Sequence, residues 1–295
     1  MQRLLIITFC LLLTALGTQA QGRRQLTNFT QQQQYFNPAL TGFEGSVLKT
    51  LYRNQWTGFE DAPKTILASA ELDVKSMRGN RKGYQLGSQQ SNKNSNYLES
   101  ISAKHALGLT VLHDRFGPSR ETQLALNYGS GVRVSENLSL RWGTALTYSS
   151  YLLDGNSLTL DQENDPRYTH LLGQNNRTSK LDLNLGLALS SEKFYVGYAM
   201  QDVTKGELVS SGDNFLRDYY TQRHNVQAGY RTNITDRLGV AVSSLCQFDS
   251  REAVTVEGQL KAVYQNMLWA GGGYRSNQAY SFTGGIRLSQ LSIHY

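Results

Sequence analysis

Residues 181–190 read L-D-L-N-L-G-L-A-L-S, with leucine at 181, 183, 185, 187 and 189 and Asp182, Asn184, Gly186, Ala188 and Ser190 between them. Side chains alternate between the two faces of a β-strand, so this stretch has one leucine face and one face of polar or tiny residues. The pattern repeats on both sides of it. Leu138, Leu140, Trp142, Leu146 and Tyr148 alternate with Ser139, Arg141, Gly143, Ala145 and Thr147. Further runs are Phe194-Val196-Tyr198-Met200, Val226-Ala228-Tyr230, Val254-Val256-Leu260-Tyr264 and Tyr280-Phe282-Ile286-Leu288. Beyond the N-terminal 20 residues there is no run of 18 apolar residues, which excludes a helical membrane span.

Such a pattern fits two architectures. In a soluble sandwich or barrel the apolar face points inward; in an outer-membrane barrel it meets lipid while the polar face lines the lumen. Three features favour lipid. The strands run about 9–12 residues, the length a tilted span requires. Tyr, Trp or Phe recur near the ends of the apolar faces, as interfacial girdles require. The polar faces carry Arg141, Asp182, Arg231, Glu257 and Lys261, which suit a wet lumen. Composition agrees: 27 Gly and 17 Tyr stand against 4 Pro, with 39% apolar residues.

Arg3, an apolar run over residues 4–16 and Thr18-Gln19-Ala20 have the layout of a secretory signal over residues 1–20, cleaved after Ala20. The apolar run of about 13 residues is short for a span of about 20. Removal takes Cys10 with it and leaves one cysteine, Cys246, so a disulfide scaffold is excluded. Cys246 reads as a small buried or lipid-facing residue. The net charge of +6 is spread thinly, densest at Arg78-Gly-Asn-Arg81-Lys82, and this excludes a nucleic-acid footprint.

About 12 strands are predicted, at 46–56, 64–74, 105–114, 120–133, 138–150, 179–190, 193–201, 223–234, 238–248, 254–264, 267–275 and 279–288. A partial thirteenth starts at Leu291. Connections after even strands are short at 135–137, 191–192, 235–237, 265–266 and 289–290, which places them on the periplasmic side. Polar loops at 151–178 and 202–222 fall on the other side, where long extracellular loops belong. The long polar stretch 75–104 breaks this rule, as filler or as a contact surface for a periplasmic partner. An odd count implies either that the chain stops before a last hairpin or that the count is off by one.

Catalysis finds little support. His105, His113, His170, His224 and His294 are scattered without metal-ligand spacing. His113-Asp114 is the most enzyme-like pair, but neighbours on a strand point to opposite faces. Asp161, Glu163 and Asp165 are spaced as a solvated acidic loop or a hard-cation site would be. Gly271-Gly272-Gly273 lies inside a strand, making room for something in the lumen or letting the sheet bend. No metal or cofactor site is assigned.

The order of residues is most specific at 35–65. Asn37-Pro38-Ala39 and Gly42 lead into an alternating run through Tyr52-Arg53-Asn54-Gln55-Trp56, and a loop returns the chain at Ala62-Pro63-Lys64-Thr65: a hairpin with aromatic ends. Tyr52 and Trp56 are expected at the lipid interface, with Arg53 and Gln55 facing the lumen and bonding across it or to a docked protein. These motifs, with Asp114, Gly117 and Pro118 in H-D-R-F-G-P and Tyr274 and Arg275 in G-Y-R-S, resemble the PorP/SprF family of type IX secretion membrane proteins across almost the whole mature chain. The resemblance implies a barrel, usually described as 14-stranded, in the outer membrane of a Gram-negative bacterium. It implies work with a periplasmic ring and a translocon, receiving or anchoring secreted proteins such as gliding adhesins through their C-terminal domains. It assigns no enzymatic activity. Members of the family generally continue past residue 295 with a last hairpin, and the 75–104 stretch is longer than usual. Rival readings from the residues are a porin-like channel, a soluble secreted β-protein and an outer-membrane enzyme.

Overall fold

The computed structural model describes residues 26, 28–56, 58–59, 61–74, 105–154, 177–211, 221–249, 254–276, 279–288 and 291–295. The expected signal segment, the 75–104 stretch, the acidic loop at 161–165, His170 and the 289–290 turn lie outside these residues.

Fourteen strands form one antiparallel sheet: β1 Val47–Asn54, β2 Lys64–Asp73, β3 His105–Phe116, β4 Ser119–Ser135, β5 Leu138–Leu153, β6 Arg177–Ser191, β7 Phe194–Gln201, β8 Val209–Ser211, β9 Arg223–Asn233, β10 Leu238–Asp249, β11 Thr255–Tyr264, β12 Leu268–Arg275, β13 Ala279–Leu288 and β14 Leu291–His294. Each strand pairs with the next in sequence, except that β7 pairs with β9 and the short β8 pairs with β6 at residues 179–181. The predicted strands all occur, including the partial one at 291, and β8 is the one that sequence patterning misses. Its three residues are too few to display a period. Strands β3 to β6 run longer than predicted at their ends, β4 reaching 17 residues. No ladder joins β1 to β14 among the described residues, so the sheet is not closed there. No helix among the described residues is long and apolar enough to cross a membrane.

Turn chemistry sets the short end of the sheet. Gln265 and Asn266 both have positive φ, and Met267 N–H donates to Tyr264 C=O at 3.0 Å, so two residues reverse the chain in the twist sense that hairpins favour. Glu136-Asn137 and Glu192-Lys193 make similarly tight reversals.

The outward face is apolar. Leu107, Leu109, Val111, Leu124, Leu126, Leu140, Leu146, Leu185, Leu187, Leu189 and Val196 are all exposed on it. Aromatic residues flank this belt. Tyr128 and Trp142, in edge contact at 5.4 Å, lie near the short-turn end with Phe194, Tyr230 and Tyr264. Trp56 and Phe116 at 5.8 Å, and Tyr274 and Tyr280 at 5.1 Å, lie at the other end. An aliphatic band between two aromatic rims is the outward face of a sheet solvated by lipid. Cys246 stands on this side, in the row of Val240, Val242 and Phe248, as expected of a small lipid-facing residue.

The inward face holds the buried groups, which are mostly polar: Ser69, Thr110, Asn127, Arg141, Thr147, Lys180, Asp182, Asn184, Asn225, Gln227 and Glu257. They are covered by the chain's own N-terminal segment. Residues 29–31 and 38–40 are 3₁₀ turns around a single α-helical turn, α1, at Gln33–Phe36.

Candidate functional site

Among the described residues, the N-terminal segment covers the inward face. Leu26 C=O accepts from Arg275 Nη2 at 3.1 Å toward the long-loop end, and Gly42 N–H donates to Glu71 Oε2 at 2.8 Å at the short-turn end. Between these points the segment runs the length of the sheet's concave side. Lys49 then bridges Glu44 at 2.7 Å and Glu71 at 3.0 Å where the segment turns into β1.

The half of this plug nearer the short turns sits in a shelf of glycines. Gly129 faces Gly143 and Gly143 faces Gly186 across β4, β5 and β6. A Cβ at Gly143 would lie 2.5 Å from Ala39 N, at Gly197 2.6 Å from Asn37 Nδ2 and at Gly129 2.9 Å from Thr41 O; at Gly186 it would collide with the Asn37 side-chain oxygen. Only glycine permits this approach. Arg141, with no exposed surface, donates from Nε to Ala39 C=O at 2.9 Å and from Nη2 to Thr41 C=O at 2.8 Å. Asn37 Oδ1 accepts from Ala39 N–H at 2.9 Å, and its Nδ2 donates to Leu187 C=O at 3.3 Å. Pro38 at the first position of the 3₁₀ turn fixes φ where no N–H is needed. The Asn37-Pro38-Ala39 motif is therefore a lumenal wedge rather than the lead-in to a surface hairpin.

The other half is held differently. Leu26, Phe29 and Phe36 pack on Leu67, Leu112 and Leu245, with Leu51 and Tyr35 at the margin. These wall leucines break the polar-in rule, and Leu51, Leu67 and Leu112 stand side by side in register on β1, β2 and β3. The main chain is caught by amides: Asn127 Nδ2 donates to Gln34 C=O at 3.4 Å, Gln201 Nε2 to Tyr35 C=O at 2.6 Å and Asn225 Nδ2 to Phe36 C=O at 2.9 Å. On β11, Lys261 donates to Asn28 Oδ1 at 3.0 Å, and Gln259 accepts from Thr30 at 3.3 Å. A barrel wall contacted from β2 round to β12 is curled about its plug, and Arg53 on β1 lies within electrostatic reach of Arg275 on β12.

Above the plug, the loop after β7 folds inward. Asp182 accepts from Thr204 N–H at 2.9 Å and Gly206 N–H at 2.7 Å, while Asp202 pairs with Lys180 at 2.8 Å and Arg223 at 3.2 Å. Burial alone would raise the Asp202 carboxyl, but Arg223 and Lys180 outweigh it and hold the group below the ordinary carboxylate value.

The remaining motif residues gather at the long-loop rim. Gln55 N–H donates to Pro63 C=O at 3.0 Å, Gly117 N–H to Asp61 C=O at 3.2 Å, and Asp154 N–H to Pro118 C=O at 2.9 Å. Arg115 Nη2 bonds Asp61 Oδ1 at 2.9 Å, and Thr65 Oγ1 donates to Asp114 Oδ1. These bonds tie the β1–β2 loop to the β3–β4 turn and the end of β5. Tyr52 and Trp56 face outward at the rim as predicted; Arg53 is on the inward face and Gln55 is half-buried. Arg275 bonds Glu257 Oε2 through Nε at 2.9 Å, and Tyr274 points outward. The wet lumen expected around Arg141, Asp182, Glu257 and Lys261 is instead occupied by protein partners: residues 28–42 meet Arg141 and Lys261, the loop after β7 meets Asp182, and Arg275 meets Glu257. Arg231 is the exception and is exposed near the short-turn end. Of the triple glycine, Gly271 and Gly273 make room for the wall itself, at Leu260 C=O and Ser281 Oγ, and a Cβ at Gly272 would meet only Ser281 C=O at 3.8 Å.

A lipid-facing antiparallel sheet wrapped about its own N-terminal segment defines a plugged, β-barrel-type membrane protein. The chain belongs to the type IX secretion system membrane protein PorP/SprF family, whose profile matches residues 18–295. That is a secretion-system membrane component and not an enzyme family. No curated protein matches the chain. Among solved structures, the toluene transporter TbuX of Ralstonia pickettii is similar at a TM-score of 0.40 and 13% identity, covering 85% of this chain and 82% of that one.

Proposed function

We propose that this protein is an outer-membrane receptor of type IX export that receives or anchors secreted and surface proteins by their C-terminal domains. In this reading it works beside a translocon and a periplasmic ring, and solute does not pass through its lumen. The observation that carries it is the occupied lumen. Among the described residues, 28–42 cover the polar wall from β2 to β11, which supports a receptor over an open channel. Its binding functions then fall to the rim and the plug.

The test has two arms. Deletion of the gene is expected to strip large secreted proteins from the cell surface with small-solute uptake unchanged. Purified protein in a planar bilayer is expected to be electrically silent. Steady open conductance with normal cargo display would instead establish a channel. At the rim, replacing Arg53 and Gln55 together with alanine is expected to reduce cargo display while heat-modifiable gel mobility stays normal. Loss of that mobility would make the motif a structural brace only.

A further inference from the structure

We infer that the long-loop half of the lumen is a binding site for polypeptide main chain, now occupied by the helical turn at residues 34–36 and open by exchange to a segment of a secreted protein. The inference rests on the secretion reading above. Three consecutive carbonyls, those of Gln34, Tyr35 and Phe36, are each met by a side-chain amide from a different strand, Asn127 on β4, Gln201 on β7 and Asn225 on β9. Carbonyls are common to all peptides, so these three contacts do not read the plug's own side chains. The Asn225 amide is held in place by Gln247, whose Nε2 donates to Asn225 Oδ1 at 3.0 Å.

The wall also holds amide capacity that the plug leaves unused. Gln227 has no exposed surface, yet neither its Oε1 nor its Nε2 has a hydrogen-bond partner; Asn127 Oδ1, itself buried, and Gln123 Oε1 are likewise unmatched. A buried amide without partners is costly, and a peptide group offers the complementary donor and acceptor. Beside Gln123 and Asn127, between the plug and β4, lies a polar cavity of ≈ 10 Å³ also lined by Gln34, room for about one water. This half is thus under-filled as well as amide-lined. The glycine shelf holds Asn37–Thr41 by close approach to main chain and to the Asn37 side chain, which keeps the plug anchored while its other half exchanges.

The experiment uses the full chain in its native host. A photo-cross-linking phenylalanine is placed at Gln123, with a control at Leu126 on the lipid face. The expected result is an adduct at 123 whose partner peptides map to a secreted protein, and none at 126. Gln227→Ala removes an amide that the plug does not use. It is expected to lower the adduct yield roughly fivefold, the equivalent of one lost hydrogen bond, with assembly unchanged. Adducts confined to residues of the plug, or a yield unaffected by Gln227→Ala, would overturn the site even if deletion of the gene still abolishes cargo display. Unchanged display on deletion would instead remove the receptor reading on which it rests.

Discussion

The two halves of the plug are held by opposite means. Residues 37–42 are fitted by shape: four glycines on adjoining strands let main chain approach main chain, and one buried guanidinium grips two carbonyls. Residues 26–36 are fitted by chemistry that tolerates exchange, an apolar cluster and a set of amides with partners to spare. Shape fitting is intolerant because a close-packed contact has no second arrangement. Amide and apolar contacts re-form with other occupants.

Four substitutions probe this contrast. Gly143→Val puts a branched side chain into the main chain of Pro38-Ala39 and is expected to prevent assembly, read as loss of the heat-modifiable band; a normal band would show that the shelf is not a tight seat. Phe29→Ala empties the centre of the apolar cluster and is expected to cost about 3–5 kcal/mol, lowering the unfolding midpoint in detergent. Arg141→Met leaves two plug carbonyls without their charged donor. A cost of about 2–3 kcal/mol is expected, with Lys a poor substitute because it lacks the fork that reaches both oxygens. Asn225→Ala removes one amide contact and is expected to cost about 1 kcal/mol in the same melt. An Asn225→Ala effect as large as that of Arg141→Met would erase the distinction between the halves.

The sheet was legible in the sequence because its signal is repeated. Leu181 to Leu189 or Leu138 to Tyr148 carry the period themselves, and the turns at Glu136-Asn137 and Gln265-Asn266 announce where it reverses. The plug was not legible because neither the Gln31–Gln34 run nor Asn37-Pro38-Ala39 carries a strand or helix period. Its seat left only indirect traces. Gly129, Gly143 and Gly186 stand on the polar face, where any small polar residue would have satisfied the alternation. Leu51, Leu67 and Leu112 stand on that same face as apparent errors. Each trace alone is consistent with ordinary variation in a strand; only the register that sets them side by side turns them into a glycine shelf and an apolar patch. The rim motifs were recognised as motifs, but their joining of the β1–β2 loop, the β3–β4 turn and β5 depends on cross-strand neighbours that spacing does not reveal.

The threading of residues 26–45 along the sheet also orders assembly in time. Ala39 and Arg141 are 102 residues apart, whereas Leu26 and Arg275 are separated by 249. Closing the shorter loop costs less entropy, and distant contacts slow folding. On this ground the glycine-bound half is expected to form on β4–β6 before β9 to β12 are joined, and the half near Leu26 is expected to be enclosed last. A chain that folds in this order passes through a state with its shelf occupied and its long-loop half unsealed.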